Sequence, residues 1–184
     1  SQTGITEIAE WTFYKCTSLE TISLPKTLAR IGMLAFYGCT SLKDIDMSQT
    51  EITEIGEQLF YKCTSLETIS LPKTLTRIGK DAFYGCTALK GMDLSQTGIM
   101  EIVEQTFYKC TSLETISLPK TLTNIGKIFD GCTSLKNVDL SQTKITEIQD
   151  ETFYSSGIEN IKFPETLTKI GKYAFGECYS LKEI

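Results

Sequence analysis

The chain has 184 residues, 41% hydrophobic and 22% charged, the balance of a folded polypeptide. Its net charge of −5, with Lys and Glu interspersed, leaves no basic stripe for a phosphate backbone, so no nucleic-acid partner is expected. Histidine is absent, which removes the usual general base and the commonest metal ligand, and the apolar runs are too short for direct membrane insertion.

From the first residue the chain repeats itself. Residues 48–94 differ from residues 1–47 at only 11 of 47 positions, and 95–140 and 141–184 continue the series with short deletions. Self-similarity of this kind means stacked units, so residues 1–184 are read as a single solenoid of four double repeats. Each double repeat splits into related halves, giving about eight repeats of 22–24 residues. In chain order the segment L-x-x-I-x-L returns at Leu19–Leu24, Leu42–Met47, Leu66–Leu71, Leu89–Leu94, Leu113–Leu118, Leu135–Leu140 and Ile158–Phe163, and Leu181 and Ile184 begin another. Alternation along a strand turns the middle apolar residue and the one two places later toward the core, which predicts one short parallel strand per repeat. Between strands the chain must cross back over the other side. The apolar sets Ile31, Phe36, Cys39 and Ile55, Phe60, Cys63, with Gly and polar residues around them, predict short helical or 3₁₀ returns or irregular ones. The four prolines, Pro25, Pro72, Pro119 and Pro164, directly follow the strand of alternate units and mark where pairing stops. Two returns are predicted to be irregular: Lys127–Asp130, where one residue is lost, and Ser155–Ile158, where the Cys-Thr-Ser block is replaced.

The units P-x-x-L-x-x-I-G-x-x-A-F-x-G-C-x-S-L-x-x-I-x-L, with the block Ala35–Cys39 repeated at Ala82–Cys86, resemble the BspA-like (Treponema pallidum-type) leucine-rich repeats over the whole chain. The resemblance implies an α/β repeat solenoid, a right-handed arc with a parallel β-sheet on its concave side. It also implies a surface or secreted protein of a host-associated microbe that binds matrix or cell-surface proteins. The chain starts at Ser1 without Met and stops at Ile184 in mid-pattern, so it is read as a segment truncated at both ends, with any signal and anchor outside it.

Stacking converts each repeat position into a column. Seven cysteines, Cys16 to Cys178, share one column with Ser156 as its eighth member. Neighbouring turns hold them near or beyond disulfide separation and no C-x-x-C motif occurs, so buried free thiols are expected, with no metal and no cofactor. On the outward side of the sheet one column reads Glu20, Lys43, Glu67, Lys90, Glu114, Lys136, Glu159, Lys182, and another Ser23, Asp46, Ser70, Asp93, Ser117, Asp139, Lys162. Opposite charges on adjacent strands favour this stacking and disfavour a slip by one repeat. The Asp residues recur every second strand, too far apart to share one calcium, so this concave polar face is read as solvated or as a weak, multivalent ligand surface. A tyrosine column runs beside the buried Phe residues. At one end Trp11, Tyr14, Met33, Leu34 and Tyr37 form a convex apolar patch, if the returns are helical turns that set Trp11 and Tyr14 on one face. The patch serves a partner or self-association, or packs against what precedes Ser1. Uncapped ends add a second route to weak self-association.

No paired carboxylates, phosphate loop or nucleophile turn breaks the repetition, so no enzyme is expected. Three roles remain: an extracellular, adhesin-like protein-binding module, an intracellular interaction scaffold that suits unpaired thiols, and a structural spacer between binding domains.

Overall fold

The computed structural model describes residues 4–184. Among the described residues fourteen short strands follow in chain order, beginning with β1 (Glu7–Ile8), β2 (Arg30–Ile31), β3 (Asp44–Asp46), β4 (Glu54–Ile55), β5 (Thr68–Ser70), β6 (Arg77–Ile78) and β7 (Gly91–Asp93). The second half continues with β8 (Glu101–Ile102), β9 (Thr115–Ser117), β10 (Asn124–Ile125), β11 (Asn137–Asp139), β12 (Glu147–Ile148), β13 (Asn160–Lys162) and β14 (Lys169–Ile170). All pairings are parallel, and each joins residues 22 to 24 apart, so the chain is a β-solenoid of about seven turns.

The six three-residue strands are the centres of the L-x-x-I-x-L segments. Ile45, Met92, Val138 and Ile161 turn into the core, and their neighbours turn out. Register is in step from strand to strand, Asp44 opposite Thr68, Ile45 opposite Ile69 and Asp46 opposite Ser70. The sheet is not continuous, however. It pairs as β3–β5, β7–β9 and β11–β13, leaving seams between β5 and β7 and between β9 and β11. At a paired junction the amide after the strand extends the ladder, Met47 N–H to the Ser70 carbonyl and Leu94 N–H to the Ser117 carbonyl, both at 2.8 Å. At the seams the chain turns away one residue later at Pro72 and Pro119, which have no N–H to give.

The helical or 3₁₀ returns expected from the spacing are not present among the described residues. Two left-handed residues interrupt each regular return four positions apart: Trp11 and Lys15, Leu34 and Gly38, Gln58 and Lys62, Asp81 and Gly85, Gln105 and Lys109. A right-handed helix cannot contain them. The amides of this stretch instead reach the next turn, Trp11 to Met33, Phe13 to Ala35 and Lys15 to Tyr37, while the intervening Tyr14 and Cys16 amides close local turns onto Trp11 and Phe13. The return thus satisfies its backbone between turns rather than within itself. Upstream of it, the Glu-Ile, Arg-Ile and related pairs form a second parallel ladder, which the sequence reading missed, with β4, β6, β8 and β10 in one four-stranded sheet.

Between the two ladders lies the core. Phe36, Phe60, Phe83, Phe107, Phe129 and Phe153 are fully buried and stack nearly parallel with ring centroids 5.2–6.0 Å apart. Phe129 holds its place although its turn has lost a residue. That turn is irregular in another way: Asp130 replaces the tyrosine and pairs with Lys127 at 3.0 Å, and Lys127 also bonds Glu151. At the other departure, Gly157 passes so close to the previous turn that a Cβ would stand 2.0 Å from the Thr133 carbonyl oxygen.

All seven cysteines are free, and Cys39 to Cys132 are buried. They are more than small hydrophobes. Each Sγ from Cys39 to Cys132 donates to the carbonyl of a Phe in the preceding turn, Cys86 to Phe60 for example, at 3.1 Å. Burial pushes the Cys39 thiol up to about 11 and the Cys110 thiol up to about 12.

Candidate functional site

Two surfaces carry the residues singled out from sequence. The first is the face of the three-residue strands. Glu20, Lys43, Glu67, Lys90, Glu114 and Lys136 are all exposed immediately before these strands or their equivalents, and Asp46, Asp93 and Asp139 are exposed at the ends of β3, β7 and β11. The alternating column forms ion pairs across turns: Glu20–Lys43 at 3.1 Å, Glu67–Lys90 at 2.6 Å, and Glu159 between Lys136 at 3.2 Å and Lys182 at 2.5 Å. Hydrogen bonding to Glu67 holds the Lys90 ammonium above its ordinary pKa, and Lys182, then Lys136, hold Glu159 below the usual carboxylate range. Such pairs between exposed groups contribute little stability but fix a regular pattern of charge.

The aspartates have a structural role that the sequence reading did not assign. Oδ1 of Asp46, Asp93 and Asp139 accepts the amide of Ser48, Ser95 and Ser141, two residues on, at 2.9 Å in each case. These are Asx turns that start the Ser-Gln-Thr loop. Hydrogen bonding from Ser48 and from Ser141 keeps Asp46 and Asp139 below the usual carboxylate range. Among the described residues no group of three or more His, Cys, Asp or Glu side chains is arranged to hold a metal ion.

The second surface is the flank of the returns. Trp11 and Tyr14 are exposed at 50% and 36%, their rings 5.0 Å apart, and Tyr14 stacks on Tyr37 at 5.0 Å. The contact arises from a turn in which the Tyr14 amide bonds the Trp11 carbonyl at 3.0 Å, not from a helix. Leu34 and Tyr37 are half-buried. Met33, 42% exposed, lies apart from them: it lines a depression of about 530 Å³ with Arg30, Glu54, Glu57, Arg77 and Lys80, to which the other four contribute nothing. The five residues are therefore two neighbouring features. Bulky side chains at positive φ, as Trp11 and Leu34 are, are uncommon and strained.

The tyrosines stack from Tyr14 through Tyr37, Tyr61 and Tyr84 to Tyr108 at 4.5–5.0 Å, so each interior ring has its faces covered by its neighbours. Lysines flank alternate rings, with the Lys62 ammonium 5.5 Å from the Tyr61 centroid. The glycines of intervening turns accept the lysine stems: a Cβ on Gly85 would stand 3.4 Å from the Lys62 Cγ.

Sequence reading overlooked a further charge column on the second ladder. Glu7–Arg30, Glu54–Arg77 and Glu147–Lys169 pair at 3.5, 3.1 and 2.7 Å, and Asn124 donates to Glu101 at 2.8 Å. The acid-base alternation that betrays it was present in the sequence.

The model of the BspA type leucine rich repeat region matches six copies over residues 1–99 and 53–182. The chain belongs to this family. Among solved structures, a leucine-rich repeat protein from Bacteroides ovatus is 35% identical over 97% of the chain, with a TM-score of 0.84. The leucine-rich repeat protein of T. pallidum is 29% identical over 97% of the chain, with a TM-score of 0.65. The BspA-type chain spans 46% of the former protein and 72% of the latter. No curated protein matches it. No helix of the described residues is long and apolar enough to cross a membrane.

Proposed function

We propose that this chain is a non-enzymatic protein-binding module of a surface-displayed, adhesin-like protein, taking a host matrix or cell-surface protein as partner. The observation that carries this reading is the face of the three-residue strands. It presents the same exposed charges every second turn, on a backbone whose register the buried Phe and Cys columns hold rigid. A surface of this kind favours many weak, simultaneous contacts over one deep pocket, and linked weak contacts reach high avidity. Family membership supports the reading, because leucine-rich repeat domains generally bind proteins. The flank bearing Trp11, Tyr14 and Tyr37 is a second candidate contact, since exposed aromatics supply binding energy out of proportion to their number.

The test is capture of matrix and cell-surface proteins on an array by the 184-residue chain, repeated with a K43E/K90E/K136E variant and with Trp11→Ala/Leu34→Lys. Binding lost in the triple charge variant supports the strand face, and binding lost only in the second variant moves the site to the flank. A chain that captures nothing from the array overturns the reading.

A further inference from the structure

Five of the chain's eight tyrosines form one stack of rings along the returns. Their centroids follow at 5.0 Å from Tyr14 to Tyr37, 4.7 Å to Tyr61, 4.5 Å to Tyr84 and 4.8 Å to Tyr108, with interplanar angles of 4–27°. Tyr14 is exposed and the other four are half-buried, so the stack lies at the surface, unlike the buried phenylalanines beside it. The remaining three tyrosines are not in it. Tyr154 keeps the equivalent place in its turn, but Asp130 and Gly176 stand there in the turns before and after. Tyr173 and Tyr179 are 60% and 90% exposed and stack on no other tyrosine.

Stacking by itself needs only rings, and phenylalanine would supply them. What the hydroxyl adds is ease of oxidation: a phenol gives up an electron and its O–H proton far more readily than a benzene ring does. The product is a phenoxyl radical, with its unpaired electron spread over the two Cε carbons beside the oxygen. An oxidant need reach only the open end of the stack, where Trp11 is 50% exposed and its ring lies 5.0 Å from that of Tyr14. From there electron exchange between touching rings carries the radical inward. Free phenoxyl radicals must find each other by diffusion, whereas two on neighbouring turns here are already held together.

We infer that neighbouring tyrosines of this stack, Tyr61 and Tyr84 foremost, are a site of oxidative coupling to dityrosine, with hydrogen peroxide and a haem peroxidase as the oxidising system. Each of the two phenols loses one electron and its O–H proton, and the two radicals form a Cε–Cε bond. The hydrogen on each of those carbons then moves to the phenolic oxygen and restores the ring. In sum the pair loses two hydrogen atoms, the O–O bond of one hydrogen peroxide breaks, and two waters form. Both rings are half-buried, which leaves their solvent side open to the twist that the new bond imposes. The bond closes a loop from residue 61 to residue 84 and ties adjacent turns, restricting the unfolded chain as a disulfide does. The free thiols of the cysteine column provide no such tie.

The test is treatment of the 184-residue chain, at high dilution, with a haem peroxidase and hydrogen peroxide. Denaturing electrophoresis separates monomer from dimer, fluorescence measures dityrosine in each, and mass spectrometry identifies the joined peptides. The monomer is expected to carry dityrosine between Tyr37 and Tyr61, Tyr61 and Tyr84, or Tyr84 and Tyr108. Tyr37→Phe/Tyr84→Phe keeps every ring but leaves Tyr14, Tyr61 and Tyr108 two turns, about 9.6 Å, apart. Its circular dichroism is expected to match the parent's, and its monomer to hold at least about tenfold less dityrosine. Tyr173→Phe/Tyr179→Phe removes the most exposed tyrosines and is expected to keep the monomer's cross-link while forming less dimer. A monomer without dityrosine, an undiminished yield in Tyr37→Phe/Tyr84→Phe, loss of the monomer's cross-link in Tyr173→Phe/Tyr179→Phe, or cross-links through Tyr154, Tyr173 or Tyr179 in place of the stack each overturns the inference.

Discussion

Two glycines of the same column separate the close-packed turns from the loose ones. Gly79 lies against the preceding turn so tightly that a Cβ would stand 2.7 Å from the Glu57 nitrogen, 2.9 Å from the Gly56 carbonyl carbon and 3.0 Å from the Glu57 Cα. All three are backbone atoms, held by the pairing of β4 with β6, and cannot rotate aside as a side chain would. Gly56, one turn earlier, would bring its Cβ no closer than 3.4 Å to Met33, an ordinary contact. Neither glycine has a positive φ, so alanine is conformationally acceptable at both. Gly56→Ala restricts the unfolded chain and is expected to stabilise by about 0.4–1 kcal/mol. Gly79→Ala gains the same restriction but must push two turns apart, an overpacking cost of about 1–3 kcal/mol. For a chain of this size 1 kcal/mol moves Tm by about 2–4 °C, so Gly56→Ala rises by about 1–4 °C, whereas Gly79→Ala, with the gain set against the cost, falls by up to about 10 °C. Thermal melts followed by circular dichroism give both values, and hydrogen exchange is expected to place the loosened amides of Gly79→Ala at β4 and β6. Equal melting of the two variants would refute the claim that alternate turns approach differently.

Phe83→Ala removes a ring stacked on Phe60 at 5.4 Å and on Phe107 at 5.6 Å, and denaturant titration is expected to show a loss of about 3–5 kcal/mol. The buried thiols tie stability to alkali. A thiol whose pKa is raised on folding contributes fully below its ordinary value of 9.0, and that contribution drains away as pH climbs toward about 11 at Cys39 and about 12 at Cys110. Denaturation midpoints are thus expected to be level from pH 7 to 8.5 and to fall steadily above about pH 9. At pH 8 iodoacetamide is expected to label Cys16, which is exposed, and to spare Cys63 to Cys132 until denaturant is added, read by mass spectrometry. Lys90→Glu sets an acid beside Glu67 and Glu114, and the resulting small drop in Tm is expected to vanish in molar salt, where exposed charges are screened.

The strands were legible because two periods coincide in them. An alternation of two within L-x-x-I-x-L sets the inward face, and a recurrence of about 23 fixes the stacking, so Ile45 opposite Ile69 follows directly. The returns misled because Ile31, Phe36 and Cys39 have a spacing that a short helix also satisfies. Glycine at Gly38, Gly85 and Gly131 hinted at left-handed backbone, but the left-handed positions four residues before that column hold Trp11, Leu34 and Gln58, residue types that say nothing of positive φ. The Asx turns could have been read from Asp-x-Ser at Asp46, Asp93 and Asp139, a spacing known for them, had each aspartate not been considered first as an exposed charge. The seams were beyond sequence. Proline marked where pairing stops, but the opening of whole strands at β5 and β9 depends on how neighbouring turns settle against each other.

The alternation of paired strands and seams also sets how such a protein can change in length. Deleting a single turn from the gene would splice two like charges side by side and put a closed junction where an open one belongs. Deleting two turns restores the reading of both. Descendants of this sequence are therefore expected to differ by whole double repeats, growing or shrinking in increments of about 9.6 Å, each bringing or removing one complete set of surface groups.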